Sequence, residues 1–168
     1  AMNYNHLGVK AKKSWFCFDE GVVCLGAGIK TEKGASAFTT IEQCRLKENA
    51  SLDGNILERG ERSARGKRII NGNVGYLLLD ESEIYIKNDA FTGRFCDIDK
   101  DSGTTELQER DIFLAGINHG ENVENGSYAY EIIPFADDKM LKEFESNNNI
   151  VIVGNSENIQ AVWNKKDR

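Results

Sequence analysis

The sequence predicts an all-β protein: an antiparallel β-sandwich of stacked sheets with one short helix near residues 138–146. Short apolar or alternating runs recur along the chain, and turn-forming Gly, Asn and Asp residues separate them. The chain contains a single proline, a residue that interrupts strand ladders. Apolar residues occur at helical spacing in only one stretch, towards the end of the chain. These patterns together favour a sandwich over a helical or mixed fold.

The first strands are predicted at Ser14–Phe18 and Val22–Ile29, on either side of an Asp-Glu-Gly turn signal. Both runs are almost continuously apolar, so we expect both to lie deep in the sandwich. Gly26 and Gly28 in the second run indicate a bulge or a close approach of another backbone segment.

Further strands are predicted in the middle of the chain. Phe38–Leu46 alternates and is rich in β-branched residues. The charged segment 47–66 is expected to hold short strands between exposed loops. Arg68–Ile70 and Gly75–Asp80 flank an Asn-Gly-Asn turn, which is typical of a hairpin. Glu83–Ile86 predicts one more short strand.

The stretch Asp111–Pro134 is predicted to form a long-looped hairpin in the middle of a sheet. Its two β-like runs, Ile112–Ile117 and Tyr128–Ile133, flank a loop rich in Gly, Asn and Glu. Alternation leaves neither side of the first run polar, so we expect this strand to be covered on both faces.

The last part of the chain predicts the helix and two final strands. Asp137 or Asp138 can cap the helix, and three consecutive asparagines should end it. Its apolar face is formed by Met140, Leu141 and Phe144. The strands are predicted at Ile150–Val153 and Ile159–Trp163, around a Gly-Asn-Ser turn.

The composition suits a single domain, residues 1–168, in which 1–13 form a lead-in segment. The chain is 40% hydrophobic, which gives 168 residues a core of their own. Acidic residues outnumber basic ones by 27 to 21, a net charge of −6, whereas a nucleic-acid surface needs a basic face. No apolar run approaches the roughly 18–20 residues of a membrane span. We therefore expect neither a nucleic-acid partner nor a membrane span.

The four cysteines contain no Cys-x-x-Cys pair, which disfavours a zinc ribbon. Most of them lie among apolar or β-like residues, as expected for buried free thiols. A disulfide stays open as an alternative, because spacing alone does not choose partners. The cysteines are Cys17, Cys24, Cys44 and Cys96.

Three stretches carry a family resemblance. They are Ala11–Ile29, with its Lys-Ser-Trp-Phe run; Thr39–Arg45, with Thr-Thr-Ile-Glu-Gln-Cys-Arg; and His119–Pro134, which begins His-Gly-Glu-Asn. In this order and at this spacing they resemble the central β-sandwich of the polysaccharide lyases of family 8, the hyaluronate, chondroitin AC and xanthan lyases. The likeness spans most of the chain and weakens between the stretches, for example at Gly72–Tyr76.

The resemblance implies a lyase that cleaves a uronic-acid polysaccharide by β-elimination. In the family, an asparagine neutralises the carboxylate, while a tyrosine and a histidine move the proton. Those groups belong to a helical domain upstream, and the assisting glutamate lies just before the Lys-Ser-Trp-Phe hairpin. None of these motifs is present in this chain, so no catalytic residue is assigned and the chain alone is expected to be inactive.

The implied role is therefore a non-catalytic supporting domain cut from a larger lyase. Its expected partners are the upstream helical catalytic domain of the same polypeptide and, through the whole enzyme, an anionic polysaccharide. The resemblance also implies a secreted or cell-surface protein.

Some polar residues of the family-like stretches could edge a substrate cleft. Among them, His119 with Tyr128 and Tyr130 has the composition of a catalytic trio. The simpler interpretation is a histidine at a strand end that bonds loop backbone while the tyrosines pack, since function must be argued from a site. The candidates for the cleft are Arg45, His119, Asn122, Asn125 and Tyr128.

Asp97, Asp99 and Asp101 alternate as in a calcium-binding loop. Gly103 and Glu109, however, each fall one position later than an EF-hand requires. A solvated acidic loop is the simpler interpretation, and calcium is the only cofactor that the sequence suggests.

Two other functions stay open. The chain could be an autonomous carbohydrate-binding module if Trp15, Tyr85 and Trp163 stack on sugar rings, although aromatic residues on strands more often belong to the core. It could also be a surface or structural domain stabilised by calcium. The basic residues between Arg59 and Arg68 are most simply a solvated loop, because acidic residues alternate with them.

Overall fold

The computed structural model of the chain describes residues 1–101 and 103–166. Within them it confirms the predicted β-sandwich: the strands form three antiparallel sheets, and one α-helix lies near the end of the chain. A short 3-10 turn at Phe95–Asp97 follows the tenth strand. The elements are β1 (Met2–His6), β2 (Val9–Cys17), β3 (Val22–Thr31), β4 (Ser36–Arg45), β5 (Ser51–Leu52), β6 (Asn55–Ile56), β7 (Gly60–Ala64), β8 (Arg68–Asn71), β9 (Val74–Leu78), β10 (Ile84–Gly93), β11 (Gln108–Glu121), β12 (Gly126–Pro134), α1 (Asp138–Asn147), β13 (Ile150–Asn155) and β14 (Gln160–Asn164).

The sheets stack in layers around the larger one. That sheet has eight strands in the order β1-β2-β3-β12-β9-β8-β5-β6, and the smaller sheet has four in the order β4-β11-β10-β7. Strands β13 and β14 form a separate two-stranded ribbon. The predicted stack of sheets is therefore present.

The main core lies between the eight-stranded and the four-stranded sheets. Ile69 of the larger sheet and Ile84, Ile86 and Phe113 of the smaller sheet are fully buried there. The opposite face of the larger sheet is covered by α1, through Leu141, and by the ribbon, which packs on Val23 and Leu25. Burying both faces of the central sheet explains its long apolar strands.

The first residues of the chain belong to the eight-stranded sheet. The sequence predicts a lead-in at 1–13, but the structure places β1 and the first part of β2 there, paired from Met2 with Lys13 to His6 with Val9. Leu7 (φ 50°) and Gly8 (φ 74°) make the tight turn between them. Strand β1 is largely exposed on both sides, so its sequence carries no apolar alternation.

The predicted hairpin of β2 and β3 is confirmed, with Cys17 opposite Val22. Strand β3 is buried along most of its length, but β2 is largely half-exposed, so the expectation that both lie deep is wrong for β2. The predicted bulge is present at Gly28, whereas the segment that comes close to Gly26 is a side chain rather than backbone. A Cβ at Gly26 would lie 2.0 Å from the ring of Tyr128, and Gly28 (φ 60°) lies at the register shift in β3.

The helix matches its prediction closely. The side chain of Asp137 accepts a hydrogen bond from the Met140 amide at 2.7 Å, which caps the helix start. Leu141 is fully buried, and Asn148 (φ 44°) ends the helix in a left-handed conformation. In the described part of the chain, no helix has the length and apolar character needed to cross a membrane.

The predicted hairpin Asp111–Pro134 is wrong. Strand β11 pairs with β4 and β10 in the smaller sheet, whereas β12 pairs with β3 and β9 in the larger sheet. The loop that joins them crosses from one sheet to the other. Two β-like runs around a turn-rich loop predict two strands, but they do not reveal whether the strands pair with each other. Strand β11 does lie inside its sheet, yet Ile112 and Leu114 on its outer side are only half-buried.

Every cysteine is free. Cys24 is buried between the sheets, as predicted, but Cys17 is exposed and Cys44 and Cys96 are partly exposed. The buried-thiol prediction is therefore confirmed for Cys24 alone.

Candidate functional site

The sandwich opens at one end into a cavity of about 360 Å³, here called the inner cleft. Strands β1 to β3 and β12 supply one wall, and β4 and β11 supply the other. Because the two walls come from different sheets, side chains far apart in sequence meet there. The polar and aromatic residues that line the inner cleft are Tyr4, Lys13, Ser36, Phe38, Thr39, Thr40, His119 and Tyr128.

His119 lies at the end of β11 and is half-buried. Its Nε2 shares a hydrogen bond with Thr39 Oγ1 at 2.9 Å, so the imidazole bonds a side chain of β4 rather than loop backbone. Burial lowers the pKa of His119, and the charge of Asp80 offsets this only in part. The ring is therefore held in place as a neutral group.

Tyr128 is 3% exposed, and its ring fills the space that a Cβ at Gly26 would occupy. Tyr130 stacks at a tilt beside it, with 5.7 Å between ring centroids. Burial raises the pKa of both phenols, and the nearby Cys24 thiol adds to the effect. A tyrosine that resists ionisation and is shielded from solvent makes a poor base, which agrees with the packing interpretation.

The structure brings His119 and Tyr128 to one cavity but leaves the other cleft candidates outside it. Asn122 (φ 55°) and Asn125 are exposed on the loop between β11 and β12. Arg45 lies opposite Ile112, whereas Thr39 lies opposite Ile117. Six residues of strand separate Arg45 from Thr39, a distance of roughly 20 Å. A role for any of these residues at a substrate cleft stays a prediction.

The acidic run does not assemble a metal site among the residues described. Asp99 Oδ1 accepts a hydrogen bond from the Asp101 amide at 3.1 Å, a local turn within the loop. Across residues 1–101 and 103–166, no group of three His, Cys, Asp or Glu side chains is arranged to hold a metal ion. Calcium binding through Asp97, Asp99 and Asp101 stays a prediction.

An aromatic strip lies beside the inner cleft, and of its members the sequence indicated only Trp15 as a possible sugar-stacking residue. Lys13 Nζ lies 5.9 Å from the ring centroids of both Tyr4 and Trp15, and Trp15 is 45% exposed. Trp163 on the ribbon is 54% exposed, so the core assignment is wrong for both tryptophans. The signal in the sequence is the spacing of Lys13 and Trp15, because residues two apart on a strand share a face.

The basic residues between Arg59 and Arg68 are largely neutralised. Arg59 forms an ion pair with Asp111 at 2.7 Å, and Arg68 contacts Asp53, Asp138 and Glu145. The Arg68 side chain is mostly buried and joins β8 to α1 by ion pairs, so it is not part of a solvated loop.

Comparison with known proteins identifies relatives along almost the whole chain. The sequence profile described as polysaccharide lyase family 8, super-sandwich domain, matches residues 1–145. Hyaluronate lyase HylB of Enterococcus faecalis is 29% identical over 172 residues, which are 96% of this chain and 17% of that protein. Chondroitinase-AC of Pedobacter heparinus is 27% identical over 178 residues, which are 99% of this chain and 24% of that protein.

Solved structures share the fold. A chondroitinase AC lyase, solved in complexes with oligosaccharides, matches with a TM-score of 0.90 and 25% identity over 98% of this chain and 25% of its own. A xanthan lyase from Paenibacillus matches with a TM-score of 0.91 at 24% identity, over 98% of this chain and 18% of its own. The chain thus spans between 17% and 25% of the length of these relatives. It belongs to polysaccharide lyase family 8, whose super-sandwich domain it forms.

Proposed function

We propose that this chain is the non-catalytic supporting domain of a longer family 8 polysaccharide lyase. The observation that carries the proposal is the family match together with its extent: the super-sandwich corresponds to only 17% of hyaluronate lyase HylB and 24% of chondroitinase-AC. Most of such an enzyme lies outside this domain. We assign the reacting groups to a helical domain upstream in the same polypeptide.

The inner cleft supports a bracing role. Proton abstraction needs a base that the substrate can reach. Tyr128 is buried and its pKa is raised by that burial, while His119 is bonded to Thr39 within the fold. The His119–Thr39 bond ties β11 to β4 within the smaller sheet, and Tyr128 packs on Gly26 within the larger sheet, so both residues are engaged by the fold.

The names of the relatives indicate the substrate class. They comprise hyaluronate lyases, a chondroitinase and a xanthan lyase, so we assign the whole enzyme to a uronic-acid-containing polysaccharide cleaved by β-elimination. Polysaccharides of this class occur outside cells, which favours a secreted or surface-attached enzyme.

The purified 168-residue chain provides the direct test. Incubation with hyaluronan, chondroitin or xanthan is expected to yield no unsaturated uronate, whose double bond absorbs in the ultraviolet. Formation of that product by the isolated chain would contradict the proposal.

A substitution in the whole enzyme tests the same point from the other side. Removing a catalytic acid or base costs about 10²–10⁴-fold in rate. The change His119→Gln should therefore lower kcat by much less than 100-fold if His119 only supports the fold. A loss of 100-fold or more, with an unchanged melting temperature, would make His119 part of the chemistry.

A second candidate function, an autonomous carbohydrate-binding module, is favoured by the exposed Trp15 and its half-buried neighbours Tyr4 and Lys13. An exposed indole beside an ammonium group suits a sugar ring that carries a carboxylate. Calorimetric titration of the chain with hyaluronan and chondroitin oligosaccharides tests this function. Micromolar binding that is lost in Trp15→Ala but kept in Trp163→Ala, the matched exposed tryptophan, would establish it.

A further inference from the structure

A groove of about 410 Å³ lies on the four-stranded sheet, outside the sandwich core. This volume falls within the range of about 300–1,000 Å³ typical of ligand pockets. We call it the outer groove. The residues that carry its chemistry are Gln43, Phe91, Arg94, Phe95, Gln108 and Arg110.

Strand alternation places Gln43, Phe91, Gln108 and Arg110 on the face that points away from the core, and Arg94 and Phe95 follow at the end of β10. Phe113 and Ala115 of β11 are fully buried between the sheets. Arg110 and Ile112, one residue out of phase, therefore point outward. Strand pairing sets Phe91 directly opposite Arg110, so an aromatic ring and a guanidinium lie side by side on the outer face.

The arginines of this face have no acidic partner among the described residues. Within residues 1–101 and 103–166, no carboxylate comes within 4.0 Å of the guanidinium of Arg94, Arg110 or the neighbouring Arg45. Asp89 shares the face but is paired with Arg59 at 3.7 Å. Three arginines without an acidic partner among the described residues therefore lie close together, on a chain whose net charge is −6.

Arg110 is also held in position. Its Nη2 donates to Gln108 Oε1 at 2.9 Å, and its Nη1 donates to the carbonyl of Glu109 at 2.6 Å. A guanidinium has five N–H donors, so most of them stay available for a ligand. Fixing the side chain beforehand reduces the entropy lost on binding.

We propose that the outer groove binds an acidic oligosaccharide, at a place separate from the inner cleft. Arg94 and Arg110 bind a carboxylate or sulfate group, the amides of Gln43 and Gln108 bind sugar hydroxyls, and the 59% exposed ring of Phe95 stacks on a sugar face. The choice of a sugar as the ligand rests on the proposed function, whereas the choice of an acidic ligand rests on the arginines that have no acidic partner among the described residues.

Calorimetric titration of the purified chain tests the proposal with three probes: a hyaluronan hexasaccharide, a chondroitin sulfate hexasaccharide and a neutral cello-oligosaccharide. The two acidic probes are expected to bind and the neutral one not to bind. Their affinity should fall as salt screens the arginines. Stronger binding of the sulfated probe would identify sulfate as the preferred group, and equal binding would identify the carboxylate.

Two substitutions locate the site. Arg94→Gln and Arg110→Gln are each expected to weaken binding of the acidic probes by about tenfold or more, because each removes charge-assisted hydrogen bonds. Arg65→Gln is the matched control, since Arg65 is an exposed arginine that does not line the outer groove, and it should leave the affinity unchanged. Trp15→Ala should also leave it unchanged.

Three results would overturn the proposal. The acidic probes could fail to bind, or bind as well to the Arg94→Gln and Arg110→Gln variants, or lose affinity only in Trp15→Ala. The third result would move sugar binding to the strip beside the inner cleft. None of them touches the supporting-domain proposal, which fails only if the chain cleaves the polymer or if His119 proves to be part of the chemistry.

Discussion

The inner cleft and the outer groove have similar volumes, about 360 and 410 Å³, but their polar groups differ in burial and in the partners they have within the fold. In the inner cleft, His119 is bonded to Thr39 and Tyr128 is buried against Gly26. In the outer groove, Arg94 and Arg110 are exposed and have no acidic partner among the described residues.

The difference shows that the side of a sheet decides what a polar residue can do. A polar group between two sheets loses its water and must be satisfied inside the fold. A polar group on the outer side keeps its water until a ligand replaces it. Resemblance to a catalytic trio is thus weaker evidence for a site than the absence of internal partners.

The largest effect is expected when one methyl group is added at the inner cleft. In Gly26→Ala, the new Cβ would lie 2.0 Å from the buried Tyr128 ring, which cannot move away because Tyr130 packs beside it. We expect a loss of about 3 kcal/mol in the free energy of unfolding, measured by urea denaturation.

Gly93→Ala is the matched control in the outer groove, where a Cβ would meet no atom within 4 Å among the described residues. It should change the free energy of unfolding by less than about 0.5 kcal/mol. Equal losses in the two variants would show that the inner cleft is no more tightly packed than the outer groove.

A buried acid that lies in neither surface tests whether burial alone makes a polar group affect stability. Glu131 is 3% exposed, and desolvation, assisted by the charge of Glu20, raises its pKa from 4.5 to about 7. The folded state then binds more protons than the unfolded state between these values, so stability falls as the pH rises through this window. In Glu131→Gln the fall should be smaller by up to about 3 kcal/mol. Identical unfolding profiles of both proteins at pH 4.5 and pH 7 would rule out this role.

Support behind the inner cleft should have an intermediate effect. Asn155 Nδ2 donates to the carbonyls of Gly26, at 3.2 Å, and Tyr128, at 3.1 Å. Asn155→Ala leaves both carbonyls without this donor and should cost about 2 kcal/mol in urea denaturation. Asn158→Ala is the control, because Asn158 is exposed on the same ribbon turn. A similar loss of stability in that variant would show that the two hydrogen bonds of Asn155 contribute nothing specific.

The smallest effect is the pH response of the inner cleft. Because burial lowers the pKa of His119 from 6.5, the unfolded state binds the proton more readily. Stability is therefore fully present above about pH 6.5 and declines as the pH falls below it. His119→Gln should reduce this decline, as measured by unfolding at a series of pH values.

Arg110→Gln serves as the counterpart in the outer groove. Arginine does not titrate between about pH 5 and 8, so this variant should keep the pH response of the unmodified chain. A decline unchanged by His119→Gln but reduced by Arg110→Gln would reverse the roles assigned to the two surfaces.

Local signals predicted local structure well. Asp137 caps the helix, the Asn-Gly-Asn turn joins β8 to β9, and Gly26 permits close packing, as their residue types indicate. In each case the cause lies within a few residues or in the missing side chain of glycine. The three family-like stretches led to the right family because they retain residue types in a fixed order.

Predictions failed where strand pairing or burial depends on segments that are distant in the sequence. Ile112–Ile117 and Tyr128–Ile133 are both strands, but they belong to different sheets. The general preference of strand aromatic residues for the core predicts a buried Trp15, yet β2 lies next to the edge strand β1 and leaves it exposed. Alternation places side chains on two faces without stating which face another layer will cover.

The sequence by itself determined most of the strands and turns, the helix and the family, because each depends on backbone preferences or on residue types in order. Only the tertiary structure decided which sheet each strand joins, and hence that His119 is bonded inside while Arg94 and Arg110 have no acidic partner among the described residues. The physical reason is that burial and pairing arise from segments distant in the chain. The same residue type can therefore brace the fold or face a ligand, according to the layer that covers it.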